Sequence, residues 1–151
     1  MSEWITPKTN WEPSDKFNFT DYNRIINNLI YLKERANRLI RPFEIEDMGE
    51  DITSYLAYWD VQFFNAIEKN IDIISENAYG LNYGIRQTFY ENGAFIKWDE
   101  LNRIESATVD INNMIDRQEV IERRLSFVLG GFSLWNVHLH IVHITISDID
   151  K

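Results

Sequence analysis

Tyr22-Asn23-Arg24-Ile25-Ile26-Asn27-Asn28-Leu29-Ile30-Tyr31-Leu32-Lys33-Glu34-Arg35-Ala36-Asn37-Arg38-Leu39 is the stretch on which the fold turns. Within it Tyr22, Ile25, Leu29, Leu32, Ala36 and Leu39 recur at steps of 3, 4, 3, 4 and 3, which is one face of a helix. Thr20 is placed to cap this helix, and Arg41-Pro42 ends it, because the residue before a proline is pushed out of the helical region. A second stripe, Phe64, Ile67, Ile71, Ile74 and Ala78, keeps the same rhythm and stops at Gly80. Its helix starts either at Asp60, with Trp59 and Phe64 as a hydrophobic staple, or near Asp51. A third stripe reads Leu101, Ile104, Ala107, Ile111 and Met114, capped by Asp99, with the small Ala107 beside the polar Thr108 at its middle. Three amphipathic helices with related repeats predict mutual packing at shallow angles, as in a bundle.

Outward from the stripes the chain reads differently. Residues 1–19 interleave Pro7, Pro13, Asn10, Ser14 and Asp15 with Trp4, Trp11, Phe17 and Phe19, an extended arm pinned by aromatics. Between the second and third helices, Asn92-Gly93 separates two aromatic-containing runs over 85–97, a hairpin signal because both residues accept the positive φ of a primed turn. After Arg124 the helical period fades. Leu125 to Leu129, Gly130-Gly131 and Leu134 to Ser147 read as two strands about a glycine turn. The expected fold is therefore mainly α: a three-helix bundle over 20–118, an extended aromatic arm before it, and a two-stranded β element over 124–147, all in one domain of 1–151.

Composition narrows the function. The 151 residues carry 24 acidic and 15 basic side chains, a formal charge of −9, which argues against a general binder of phosphate backbones. With 44% hydrophobic residues the chain can offset its ordering entropy by burial, so it is expected to fold. It has no cysteine, which removes disulfides, thiol catalysis and cysteine zinc sites. Met1 to Lys8 lack the basic and apolar regions of a secretion signal, so no leader is expected. The uncharged run from Leu125 to Ser147 holds three histidines, two glycines, two serines and an asparagine before its end, and does not read as a membrane span.

The sequence also repeats itself. Phe19-Thr20-Asp21-Tyr22-Asn23-Arg24-Ile25 aligns without gaps on Trp98-Asp99-Glu100-Leu101-Asn102-Arg103-Ile104, at an offset of 79 residues. Asn65-Ala66-Ile67-Glu68 is a fainter third copy, matching Asn102-Arg103-Ile104-Glu105. These residues carry a resemblance. Trp11, then Asp15 to Asn28, then Leu101-Asn102-Arg103-Ile104-Glu105, then Arg124-Leu125-Ser126-Phe127-Val128-Leu129-Gly130-Gly131-Phe132, resemble small tail and baseplate structural proteins of bacteriophages and prophages of Gram-positive bacteria. The resemblance implies a non-catalytic assembly or adaptor subunit of a virion, assembled in the host cytoplasm. Its partners would be copies of itself and other tail proteins, as a homo-oligomer, with no nucleic acid, membrane or cofactor.

The candidate site residues lie mostly in the C-terminal stretch. His138 and His140, two apart on a predicted strand, share a face, as two imidazoles must to bind one metal, and His143 follows. In a threefold oligomer this pair resembles the histidine-x-histidine iron site of trimeric tail-spike tips. Asn136-Val137-His138-Leu139-His140-Ile141-Val142 also resembles the signature of histidine-triad nucleotide hydrolases, with asparagine at the first histidine position. That resemblance implies His138 as nucleophile and His140 as a phosphate ligand. Leu139, Ile141, Ile144 and Ile146 would make an open edge prone to aggregation, so they are expected to form an interface with a neighbour, together with Trp4 and Trp11. Glu44 with Glu46, and Glu119 with Glu122, are carboxylate pairs of the kind used in acid–base work, although such pairs usually mark a solvated face. Trp59, Tyr79, Tyr83, Phe89, Tyr90 and Trp98 are candidates for a sugar platform or, equally, for core packing.

Overall fold

The computed structural model describes residues 3–54, 60–78 and 84–128, with side chains through 124. Among them are three helices and no strand: α1 (Phe19–Leu39), α2 (Val61–Asn77) and α3 (Trp98–Val128). The chain divides into two compact units, residues 1–116 and 117–151.

In the first unit all three helices run the same way. Tyr22 near the start of α1 meets Phe64 near the start of α2, with ring centroids 6.0 Å apart. Beyond the other end of α1, Arg41 donates to Asn77, the last residue of α2 (2.9 Å). The same order holds against α3: Arg24 pairs with Glu105, and Arg35, further along, with Asn112 and Asp116. Parallel neighbours cannot be joined by short turns. Each helix is therefore preceded by an extended strap that returns along the bundle: residues 3–18 before α1, 41–54 before α2 and 84–97 before α3.

The stripes read from the sequence form the core. Tyr22, Ile25, Leu29, Leu32 and Ala36 of α1, and Phe64, Ile67, Ile71, Ile74 and Ala78 at and just beyond α2, are all buried. In α3 the expected Leu101, Ile104, Ala107 and Ile111 are all buried, joined by the polar Thr108, and the stripe is corrected at its end, where Ile115 is buried and Met114 only half-buried. Thr108 tolerates this place because its hydroxyl donates to the Glu105 carbonyl one turn earlier (2.8 Å). The layers that result, such as Ile25, Ile67 and Ile104, are isoleucine-rich, the choice that favours three parallel strands in coiled coils.

The helix starts also needed correction. Asn18, not Thr20, caps α1: its side chain accepts from Thr20 and Asp21 main-chain N–H groups while Asp21 reaches back to the Asn18 N–H, a capping box. Asp60 caps α2 by accepting from Gln62 (2.8 Å), which selects the Asp60 start over Asp51; Trp59, the other half of the expected staple, lies outside the described residues. In α3, Asp99 sits inside the first turn and accepts from the next N–H, Glu100 (3.0 Å).

Residues 85–97 form no hairpin among the described residues. Gly93 donates to the Tyr90 carbonyl (2.9 Å), and only Asn92 takes a positive φ (59°), so Asn92-Gly93 makes a tight turn without a primed pair. The flanks do not pair because Asn65 already holds Phe89, and Phe89 and Phe95 both pack on Phe64 at 5.9 and 5.6 Å. In the second unit, Arg117 to Val128 continue as α3, so Arg124 to Val128 of the expected β element are helical. The remainder of that element, 129–147, lies outside the described residues.

Candidate functional site

The repeat seen in the sequence becomes, in three dimensions, a ring of asparagine clasps. Asn23, Asn65 and Asn102 occupy the same place in α1, α2 and α3. Asn23 accepts from the Ile52 N–H and donates to the Ile52 carbonyl, both at 2.9 Å. Asn65 does the same to Phe89 (2.8 and 3.0 Å), and Asn102 to Trp11 (2.7 and 3.0 Å). Each amide thus imitates a strand neighbour, satisfying both polar groups of one extended residue. The order is cyclic: α1 holds the strap before α2, α2 the strap before α3, and α3 the strap before α1. A second row follows in two of the three units, Asn28 on Ile5 and Asn70 on Glu46. The corresponding residue of α3 is Ala107.

Beneath the clasps run two charged seams. Arg24 of α1 makes a bidentate pair with Glu105 of α3 (2.9 and 2.7 Å) and a further bond to Asp21 (2.9 Å). Glu105 is 1% exposed and also accepts from the Lys8 main-chain N–H (2.7 Å) and the Trp11 indole N–H (2.9 Å). Trp11 is flanked by Lys8, whose Nζ lies 4.1 Å from its ring centroid, and by Arg24 at 5.8 Å. Burial pulls the Arg24 guanidinium toward a lower pKa, but Glu105 and Asp21 together hold it above its ordinary value.

One step round the ring, Arg103 of α3 pairs with Glu68 of α2 and with Glu100 (3.1 Å). Glu68 is fully buried, and burial raises its carboxyl above the ordinary range; Arg103 opposes that rise and the nearby Glu100 adds to it. This seam is incomplete. Glu68 Oε2, Arg103 Nε and Arg103 Nη1 are buried with no partner at hydrogen-bonding geometry among the described residues. The reason lies in the strap: where Asn102 holds Trp11, whose indole N–H reaches Glu105, Asn65 holds Phe89, whose side chain has no N–H, and the strap meets Glu68 through the Gln87 main chain instead. Gly84, at φ 102°, lets the strap pass the Arg103 side chain, where a Cβ would stand 3.0 Å from Cδ. The third seam position, between α1 and α2, is apolar, with Ile26 and Ala66 in place of the acid and the arginine. There α1 and α2 lie in close backbone contact.

These groups hold the chain together. The Glu105 carboxylate is saturated by four donors, which leaves no lone pair suited to a general base. The two expected carboxylate pairs are taken up in surface ion pairs and hydrogen bonds: Glu44 with Lys33 (2.9 Å), Glu46 with Lys69, Glu119 with Arg123 (3.7 Å), and Glu122 with Gln118 (3.3 Å). Among the described residues no group of three or more His, Asp or Glu side chains is arranged to hold a metal. A hollow of about 240 Å³ opens where the first strap meets the start of α3, with Trp11, Phe17, Trp98, Glu12 and Asp15 in its wall. Its Asp15 carboxylate is already bonded to Lys8 (2.8 Å), which keeps its pKa below the ordinary value.

The remaining sequence candidates fall in three places. Trp11 is buried (3% exposed) against its own chain, and Trp4 packs on Tyr31 at 5.6 Å. His138, His140, His143, Leu139, Ile141, Ile144 and Ile146 lie outside the described residues, as do Trp59, Tyr79 and Tyr83. Of the aromatic set, Phe89 turns inward onto Phe64 while Tyr90 and Trp98 are exposed. Sequence reasoning missed the clasping asparagines, although Asn23, Asn65 and Asn102 stand at one position of the repeat. No protein-family profile, curated protein or solved structure matches the chain.

Proposed function

We propose that the chain is a structural subunit of a phage or prophage tail or baseplate, an assembly or adaptor piece without catalytic activity, working in the virion beside copies of itself and other tail proteins. The observation that carries this reading is the use made of the repeated residues. Asn23, Arg24, Asn102, Arg103 and Glu105 lie in the segments that resemble tail proteins, and all five close either clasps from helix to strap or seams between helices. The likeness therefore falls on architecture, as it should for a protein whose work is to hold a shape. A parallel three-helix core inside one chain also suits a particle built about rotational axes, because it brings the packing of a trimer without needing three copies.

The test is to look for the protein in particles. Mass spectrometry of purified particles from an induced host should find it at a fixed ratio to a tail protein, and an in-frame deletion should yield particles with defective tails. Recovery only from the particle-free supernatant, with normal particles from the deletion strain, refutes the reading.

A further inference from the structure

We infer that the third strap is a self-pairing edge, and that two copies of the chain associate by laying residues 85–91 antiparallel about a twofold axis at Thr88. The inference deepens the reading of the chain as an assembly subunit and rests on it for its biological setting.

The three straps are equivalent in the ring but differ in their protection. An extended segment with free main-chain groups invites another, and chains blunt such edges with proline, charge or bulges. The first strap has Pro7 and Pro13; the second has Pro42, Gly49 at φ 80°, and Glu44, Glu46, Asp47, Glu50 and Asp51 with no basic residue between them. The third has no proline. It carries Ile85, Thr88, Phe89 and Tyr90, residues at home in strands, and its charges over 84–97 are Arg86, Glu91 and Lys97 in a chain of −9. It is also where large apolar side chains gather at the surface: Ile85 is 82% exposed, Tyr90 72% and Phe95 53%.

The clasp fixes which way the edge faces. Because Asn65 takes both polar groups of Phe89, the alternation of an extended chain turns those of Thr88, and of Arg86 beyond it, away from the helices. Neither Arg86 nor Thr88 has a main-chain hydrogen bond among the described residues. Placing Thr88 opposite Thr88 sets Arg86 opposite Tyr90 twice over. Both are favourable cross-strand pairs, the second through the ring face and the Arg86 guanidinium, which keeps Asp72 of its own chain at 3.1 Å. Strongly acidic chains repel one another elsewhere, so charge favours this near-neutral edge as the meeting place.

Sedimentation equilibrium of the full chain across a wide concentration range tests the inference, beside Thr88→Pro, which removes the central donor, and Ile85→Glu, whose side chain touches no core. The wild type should pass from monomer to dimer, and each variant should raise the dimer dissociation constant by roughly tenfold or more, a loss of about 1.4 kcal/mol. Circular dichroism confirms the fold of each variant, and if Thr88→Pro unfolds, Ile85→Glu decides. A wild type that stays monomeric, a dimer indifferent to Ile85→Glu, or capture of a different protein by this edge in place of a second copy overturns the inference. None of these outcomes bears on the presence of the protein in particles, which mass spectrometry judges separately.

Discussion

Replacing Arg103 and Glu68 together by the residues that fill the same positions between α1 and α2 should leave the protein nearly as stable as before, although either change alone is costly. The variant is Arg103→Ala with Glu68→Ile, copying Ala66 and Ile26. Arg103→Ala by itself leaves the fully buried Glu68 without its cation, a loss of about 3–5 kcal/mol. Glu68→Ile alone should cost less, about 1–3 kcal/mol, because the Arg103 side chain is 17% exposed and keeps Glu100. In the double variant the buried pair disappears along with its orphaned Glu68 Oε2, Arg103 Nε and Arg103 Nη1. Apolar replacements of buried ion pairs are often neutral or stabilising, so the double variant is expected within about 1 kcal/mol of wild type or above it. Urea unfolding followed by circular dichroism, arranged as a double-mutant cycle, measures all four proteins. The predicted coupling is several kcal/mol. A double variant that loses as much as the two single variants combined would show that the seam positions are not interchangeable around the ring.

Glu68 also predicts a pH effect. Its folded pKa lies above the ordinary 4.5, so it contributes stability that is fully present below 4.5 and is lost as pH rises through the raised value. Relative to Glu68→Gln, the wild type should therefore lose stability as pH increases over that window, and equal slopes in urea unfolding would contradict the assignment. Trp11→Phe recreates on the first strap what Phe89 provides on the third, removing the indole donor to Glu105; a loss of about 1.5–3 kcal/mol in the same assay is expected. Thr108→Val removes a buried hydroxyl from a layer shared with Leu29 and Ile71, and the melting temperature should rise by a few degrees for a gain of about 0.5–1 kcal/mol. A fall in melting temperature would mean that the hydroxyl bond to Glu105 matters more than the apolar neighbours.

What could be read from the sequence was whatever depends on spacing. The stripes from Tyr22 to Ala36 and from Phe64 to Ala78 specify their buried faces because only the helical period places all five residues of each on one side. The third stripe held through Ala107 but left out Thr108 and ended on Met114 in place of Ile115, since a polar Thr108 in the core looks wrong until its hydroxyl is seen bonding within its own helix. Asn92-Gly93 did signal a turn, but what its flanks bind is settled by Asn65, over twenty residues earlier. The clasps were hidden for a general reason: an amide that grips main-chain atoms makes no demand on the side chain of the residue it grips, so nothing polar at Ile52, Phe89 or Trp11 marks them as partners. Parallel helices were equally hidden, although the long connections from 40 to 60 and from 78 to 97 leave room for each strap to return.

The closing of the ring sets an order of events during synthesis. Trp11 is held by Asn102 and Glu105, partners more than ninety residues further along the chain. At about 5–20 residues per second, the segment holding Trp11 emerges several seconds before the helix that will receive it. Through that interval its indole and the Lys8 amide have no carboxylate to meet, and a chaperone or a neighbouring nascent chain has time to engage them. The earliest part of this unit to be made is thus among the last to find its seat, and translation speed past residue 105 becomes a physical variable in how reliably the molecule shuts.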